Sequence, residues 1–214
     1  MKETRTAAES HRIAGTKVKQ ALGKIALMTD DMVHSNDHRI SPRCYAPIII
    51  ERGNQTIMVP ARYLLRQPGK PAFMDDRLSG NYNGRRNNLT KFWRNEFGTK
   101  HVVLAVTTFY ENVLGPDDQN VVLHFNTREP GVMLIAYLHA EWSDPNTGDT
   151  LLSFAAVTDD PLQEVAAAVH DRMVIRLTRE IVGRRLTPQD RSEEELLAIL
   201  SEFQPAYYAH TVAA

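Results

Sequence analysis

Hydrophobic positions recur at two different periods along the chain, and the change of period divides it. Over the first 28 residues Ile13, Val18, Leu22, Ile25 and Met28 return every three to five positions, the spacing of a helix with one buried face. Arg12, Lys17, Lys19 and Lys24 interleave with them and form a polar face. A polar stretch, TDDMVHSNDHRISPR, ends that pattern, and Pro42 marks a turn. Beyond it come short segments rich in β-branched and aromatic residues, which predict strands over 45–51, 55–64, 101–111, 120–125, 132–142 and 150–158. Gly53-Asn54 separates the first pair at hairpin spacing, and Pro145, Asn146 and Gly148 turn the chain between the last pair.

Helices interrupt this run in few places. Residues 88–97 bring Leu89, Phe92, Trp93 and Phe97 to one side of a helix. Asp160-Pro161-Leu162-Gln163 reads as a capping box with proline at the first helical position, opening a helix that runs toward His170. Ser192 and Glu195 repeat the box before Leu196, Leu197, Ile199 and Leu200. Strand following strand, with helices near the ends, predicts an α+β fold with a mostly antiparallel sheet. No linker breaks the chain, so a single domain over 1–214 is expected.

Composition narrows the class. The chain has 214 residues, 43% of them hydrophobic and 24% charged, which suits a packed core and excludes disorder and collagen-like repeats. One cysteine makes neither an internal disulfide nor a cysteine-rich zinc site. With no apolar segment near membrane-spanning length and no apolar core in MKETRTAAESHRI, a soluble cytoplasmic protein is expected. The net charge of −1 conceals a split. Residues 1–42 carry net +2, residues 43–100 net +7 and residues 101–214 net −10. A basic block in a near-neutral protein suits one face that meets a polyanion, unless the blocks interleave in space and cancel.

The common catalytic signatures are absent: no Walker loop, dinucleotide glycine fingerprint, H-E-x-x-H or G-x-S-x-G. His34, Asp37 and His38 cluster in a polar loop without a further ligand at metal spacing, so neither metal nor cofactor is expected. Three stretches set polar groups against apolar surroundings. They are Asn81-Tyr82-Asn83-Gly84-Arg85-Arg86-Asn87, Thr107-Thr108-Phe109-Tyr110-Glu111-Asn112 and His170-Asp171-Arg172-Met173. Taken singly, Glu111 suits a solvent-facing strand end, His170 a helix terminator and Arg85 a carboxylate partner.

Taken together and in order, they carry a resemblance. Arg43-Cys44-Tyr45-Ala46-Pro47, Asn83-Gly84-Arg85, Phe109-Tyr110-Glu111, Val157-Thr158 and His170-Asp171-Arg172-Met173 follow one another as five motifs over about residues 40–214. In that arrangement the chain resembles the SOS response-associated peptidase (SRAP) family, and its longer subgroup most of all. The family patterns are an R-Y-N-V-A-P-like strand, N-A-R, G-F-Y-E-W, a strand ending in threonine, and H-D-R-M-P. The resemblance implies a barrel-like sheet core with peripheral helices, and it makes residues 1–30 the remnant of a helical insertion.

It also implies a chemistry: covalent capture of an abasic site in single-stranded DNA, through a thiazolidine formed by an N-terminal cysteine. On that reading Asn83, Glu111 and His170 are the catalytic set. Glu111 shuttles the proton as an amine attacks an aldehyde, His170 serves the sugar hydroxyl, and Asn83 fixes nucleophile or deoxyribose. Arg85 and Arg172 clamp phosphates, and Thr158 and Pro47 also touch DNA. The partners are single-stranded and abasic-site DNA, with no membrane, and the protein joins the nucleoid when bound.

The chain departs from the pattern where it matters most. The family opens Met-Cys; this chain opens Met1-Lys2-Glu3-Thr4, and Cys44 inside a strand has no free α-amine to close a thiazolidine. Smaller departures are N-A-R to N-G-R, a following glutamate to Asn87, and the tryptophan after F-Y-E to Asn112. The expectation is a longer gene product whose upstream segment opens Met-Cys. The alternatives are a non-catalytic module that binds single-stranded DNA without trapping it and, more weakly supported, a self-processing peptidase.

Overall fold

Gly53 and Asn54 both take positive φ, near 59°, the backbone of the tight turn whose twist matches two antiparallel strands. The hairpin they close is the most regular part of the computed structural model. The structure describes residues 39–72, 75, 81–114, 117–127, 131–167, 171–202 and 208–212. The expected N-terminal helix, the His34–His38 loop and His170 lie outside them.

The strands are β1 (Tyr45–Arg52), β2 (Gln55–Tyr63), β3 (Asn83–Arg85), β4 (His101–Val106), β5 (Thr108–Leu114) and β6 (Asn120–Thr127). They continue as β7 (Met133–Ser143), β8 (Thr150–Asp159), β9 (Met173–Val174), β10 (Arg176–Leu177) and β11 (Tyr208–Val212). The helices are α1 (Arg94–Thr99), α2 (Gln163–Ala167), α3 (Arg179–Leu186) and α4 (Glu193–Ser201), with a 3₁₀ turn over Arg86–Asn88. The architecture is α+β; β1–β2, β4–β7, β7–β10, β5–β6, β6–β11 and β8–β9 pair antiparallel, while β2 and β3 each run parallel to β8. The chain forms two compact units, one reaching to Tyr82 and including Ala140–Phe154, the other comprising Asn83–His139 and Ala155 onward.

In the first unit β1 pairs with β2 from Tyr45↔Arg62 to Arg52↔Gln55. Ala46, Ile48 and Ile50 are buried while their neighbours are partly exposed, the period-2 signature of a half-buried strand. Beyond β2 the chain is tied down by charge. Asp75 accepts from Arg62 and Arg66, and the Arg66 guanidinium lies 4.3 Å over the Trp142 ring. Asp144 Oδ1 accepts from the Asn146 and Thr147 amides, and Gly148 at φ 76° completes the expected turn before β8.

In the second unit β4 pairs with β7, and β10 with β7, while β5, β6 and β11 form a separate sheet in the order β11-β6-β5. The segment 101–111, expected as one strand, therefore divides at Thr107. Val102, Val103 and Leu104 are buried against β7, whereas Phe109 stacks on Phe125 of β6 with ring centroids 5.0 Å apart. One straight strand cannot serve both sheets. The helix expected over 88–97 is likewise shortened to α1, because the preceding residues make successive i→i+3 turns. Asn87 and Asn88 are poor helix formers, and the turns set the Trp93 indole against β3. The Ser192–Glu195 capping box forms in both directions. The other one is displaced: Leu162 O accepts the first helical amides of α2, so the cap position is Leu162 rather than Asp160.

Helix α3 carries Arg185 into the core of this unit, with no exposed surface. It donates to Tyr137 O at 3.1 Å and lies 3.1 Å from His101 Nε2, while the imidazole faces two carbonyls, Arg185 O at 2.8 Å from Nδ1 and Phe97 O at 2.6 Å from Nε2. No carboxylate pairs with it among the described residues. Burial consequently lowers the guanidinium pKa to about 9 and, together with the Arg185 charge, holds His101 well below its usual value.

Candidate functional site

Three motifs far apart in sequence become neighbouring strands in the second unit. Strand β3 runs parallel to the end of β8, with Asn83 opposite Ala156 and Arg85 opposite Thr158. Strand β9 closes on the same stretch, with Thr158 opposite Val174 and Asp159 opposite Met173. Directly paired residues and residues two apart share a sheet face. Asn83, Arg85 and Thr158 therefore stand on one face, and Gly84 and Val157 on the other.

The Gly84 side is closed by Trp93, which is 2% exposed. A Cβ added to Gly84 would lie 3.2 Å from two indole atoms. This accounts for N-G-R in place of N-A-R: the volume of an alanine methyl is occupied by the indole.

Charge organises the other side. Arg85 Nη2 donates to Asp160 Oδ1 at 2.8 Å, and Arg85 Nη1 lies 3.8 Å from Asp171 Oδ2. Arg172 grips the same Asp171 carboxylate with Nε and Nη2, at 2.9 and 3.0 Å. The result is a line, Asp160–Arg85–Asp171–Arg172, of alternating charge and substantial exposure. Beside it Arg86 donates to Asp159 Oδ2 at 2.8 Å, to Leu197 O at 3.0 Å and to Ser201 Oγ, fastening the 3₁₀ turn to α4. A cleft of about 260 Å³ opens between Arg85, Arg86, Asn87, Asp159, Asp160 and Leu197. Thr158 is buried, and its hydroxyl has no hydrogen-bond partner among the described residues.

The other expected residues stand elsewhere. Glu111 sits on β5 opposite Leu123, on the same face as buried Phe109 and Val113, and is itself half-buried. Burial raises the Tyr137 phenol pKa, and the nearby Glu111 charge adds to the effect. Pro47 is half-buried on β1 opposite Pro60, in the first unit. Asn112, which stands for the family tryptophan, accepts from Asn120 across the β5–β6 pair. No three His, Cys, Asp or Glu side chains converge as a metal shell among the described residues.

Sequence reasoning missed Arg86, Asp159 and Asp160. The signal was present as a basic doublet, Arg85-Arg86, and an acidic doublet, Asp159-Asp160. The basic block as a free face is also corrected. At least six of its cations are paired: Arg52 with Glu141, Arg62 and Arg66 with Asp75, Arg85 with Asp160, Arg86 with Asp159, and Arg94 with Glu193. Four of these five partners come from the acidic half, so the blocks interleave in space and part of the basic excess is neutralised.

Fold and site thus define an α+β protein with an arginine-bearing polar cluster at the joined ends of three strands. A model of the SOS response associated peptidase (SRAP) family matches residues 5–214, and the chain belongs to that family. Among solved structures, a Bacteroides thetaiotaomicron protein is similar at 16% identity with a TM-score of 0.66, over 79% of this chain and 74% of its own. A Bordetella bronchiseptica protein is similar at 17% identity and TM-score 0.64, over 81% of this chain and 85% of its own. A phage-related protein from Bordetella bronchiseptica gives 18% and 0.61, over 81% and 80%. At these identities the likeness is one of fold. No curated protein matches the chain. Family membership links it to the SOS response, and no described helix is long and apolar enough to cross a membrane.

Proposed function

We propose that this chain is an SRAP-type protein that binds single-stranded DNA and recognises abasic sites. The observation that carries the reading is the union of N-x-R, Val157-Thr158 and D-R-M on adjacent strands, which brings two guanidiniums to one exposed cluster. Guanidinium binds phosphate oxygens two at a time, so Arg85 and Arg172 suit successive phosphates of a bound strand. Asn83, on the Arg85 face, orients the ring-opened deoxyribose through its amide.

The trapping chemistry needs an N-terminal cysteine, whose α-amine adds to the aldehyde and whose thiol closes the thiazolidine with loss of one water. Proton transfers accompany both additions and the loss of water. Glu111 serves them: it is half-buried on β5, near enough to the Tyr137 phenol for its charge to be felt there. His170 serves the sugar hydroxyl freed on ring opening.

The test joins an N-terminal segment opening Met-Cys to this chain and incubates the product with a single-stranded oligonucleotide holding one abasic site. A covalent complex on a denaturing gel is expected, slowed about 10²-fold or more by Glu111→Gln. An extended protein that leaves the oligonucleotide unshifted overturns the covalent role. Binding without a cross-link, weakening with salt by about −0.7 in log K per phosphate neutralised, identifies the non-catalytic module instead.

A further inference from the structure

The two arginines assigned to phosphate are already occupied. We propose that Asp160 is a built-in phosphate surrogate: it holds Arg85 in the DNA-free protein, and a DNA phosphate binds there only by displacing it. The proposal rests on the DNA-binding reading and deepens it, making Asp160 a specificity-determining residue.

The geometry supports displacement rather than permanent pairing. Asp160 Oδ1 takes a single guanidinium nitrogen of Arg85, Nη2, at 2.8 Å, and Asp171 approaches only loosely, its carbonyl 3.5 Å from Nη2 and its Oδ2 3.8 Å from Nη1, so neither carboxylate grips Arg85 with two short bonds. The Asp160 side chain is 82% exposed and that of Arg85 37%, so the pair stands in water and is screened by salt. Arg86 and Asp159 make the contrast. They form an equally short pair, but its members are 25% and 32% exposed, and Arg86 is further tied to Leu197 O and Ser201 Oγ. Of the two neighbouring pairs, one is anchored and the other is free to exchange. Asp160 is also not held by the helix that follows it, since Leu162 takes the cap position of α2. Asp171 extends the arrangement, lying between Arg85 and Arg172 and closest to the latter.

The consequence is selective. An exposed ion pair is weak, so a phosphate fixed in place by the rest of the bound strand displaces Asp160 at little cost. A lone phosphate or a mispositioned strand meets a cluster of no net charge. Once displaced, Asp160 remains beside the DNA and retains a cation there, so fewer counterions are released than two free arginines would release.

The experiment measures affinity for a labelled single-stranded oligonucleotide carrying a tetrahydrofuran abasic analogue, which cannot cross-link, across a salt series. Asp160→Asn should bind about two- to fivefold tighter and steepen the salt slope by up to about 0.7, while Asp160→Glu should behave as the unsubstituted protein. In an Arg85→Ala background the gain from Asp160→Asn should shrink, because most of its effect passes through Arg85. The proposal is overturned if Asp160→Asn leaves affinity unchanged or lowers it in a folded protein, or if it tightens binding equally without Arg85. In either case Arg85→Ala still weakens binding and the DNA reading stands. If no variant, nor the unsubstituted chain, binds the oligonucleotide, that reading falls and the surrogate falls with it.

Discussion

Replacing Asp75 by asparagine keeps the shape of a side chain and removes the charge that two buried arginines share. Arg66 reaches it with Nε at 3.1 Å and Nη2 at 2.6 Å, and Arg62 Nη2 lies 2.8 Å from the same carboxylate. All three side chains are only 10–12% exposed. Arg62 has one further acceptor, Leu64 O at 3.1 Å, and its buried Nε has no partner among the described residues. Asparagine would present an amide to two like charges with little water to screen them. Removing one partner of a buried pair costs about 3–5 kcal/mol, several times an exposed pair. With an m-value of about 2–3 kcal/mol/M, that lowers the urea midpoint by about 1–2.5 M.

Trp142 supplies the probe. Its ring stacks under Arg66 and its Nε1 donates to Lys70 O at 2.7 Å, so its fluorescence reports this unit, while Trp93 belongs to the other. A Trp93→Phe background isolates the signal. The pH dependence gives a second check. Burial pushes the Asp75 carboxyl up, but hydrogen bonds and charge from Arg66 and Arg62 outweigh it and hold the pKa below 3.8. A depressed carboxyl stabilises the fold above its unfolded value, and that contribution fades as pH falls below 3.8 toward the folded pKa. The gap between native and Asp75→Asn proteins should therefore narrow in acid. A midpoint shift below about 0.4 M, or a gap that widens below pH 3.8, refutes the reasoning.

Other tests probe the second unit. His101 stays neutral in the fold while an unfolded imidazole protonates below its usual 6.5, so stability should fall by about 1.4 kcal/mol per pH unit on acidification from there. His101→Gln, which keeps a donor and an acceptor beside Arg185 and His139, should flatten that slope in denaturant titrations between pH 6.5 and 5, and an unchanged slope would exclude His101 as its source. Gly84→Ala forces a methyl to 3.2 Å from the Trp93 indole and should destabilise by about 1–3 kcal/mol, or roughly 2–10 °C in a thermal melt. Because β3 carries Asn83 and Arg85, the same variant should weaken oligonucleotide binding; a melt and affinity equal to the parent would show that the indole yields freely.

Local order was legible wherever one short-range rule acted alone. Period-2 burial in β1, positive φ at Gly53 and Asn54, and the Ser192–Glu195 box each follow from neighbours in sequence, and each forms as the residues imply. The family was legible too, because the five motifs stand in order along the chain. Errors came where a longer-range demand overrode the local one. The segment 101–111 reads as one apolar strand but must serve two sheets, so it breaks at Thr107. Asp160 looks like a helix cap until Arg85, 75 residues away, takes its carboxylate.

By itself the sequence determined the α+β character, the hairpin and the set of chemically distinctive residues, since periodicity, turn backbone and motif order are properties of near neighbours. Only the tertiary structure decided which charges meet. Strand pairing sets N-x-R beside D-R-M, and four arginines of the basic block are paired by carboxylates that fold back from the acidic half. Electrostatic interaction depends on distance in space and on exposure, and neither can be read from separation along the chain.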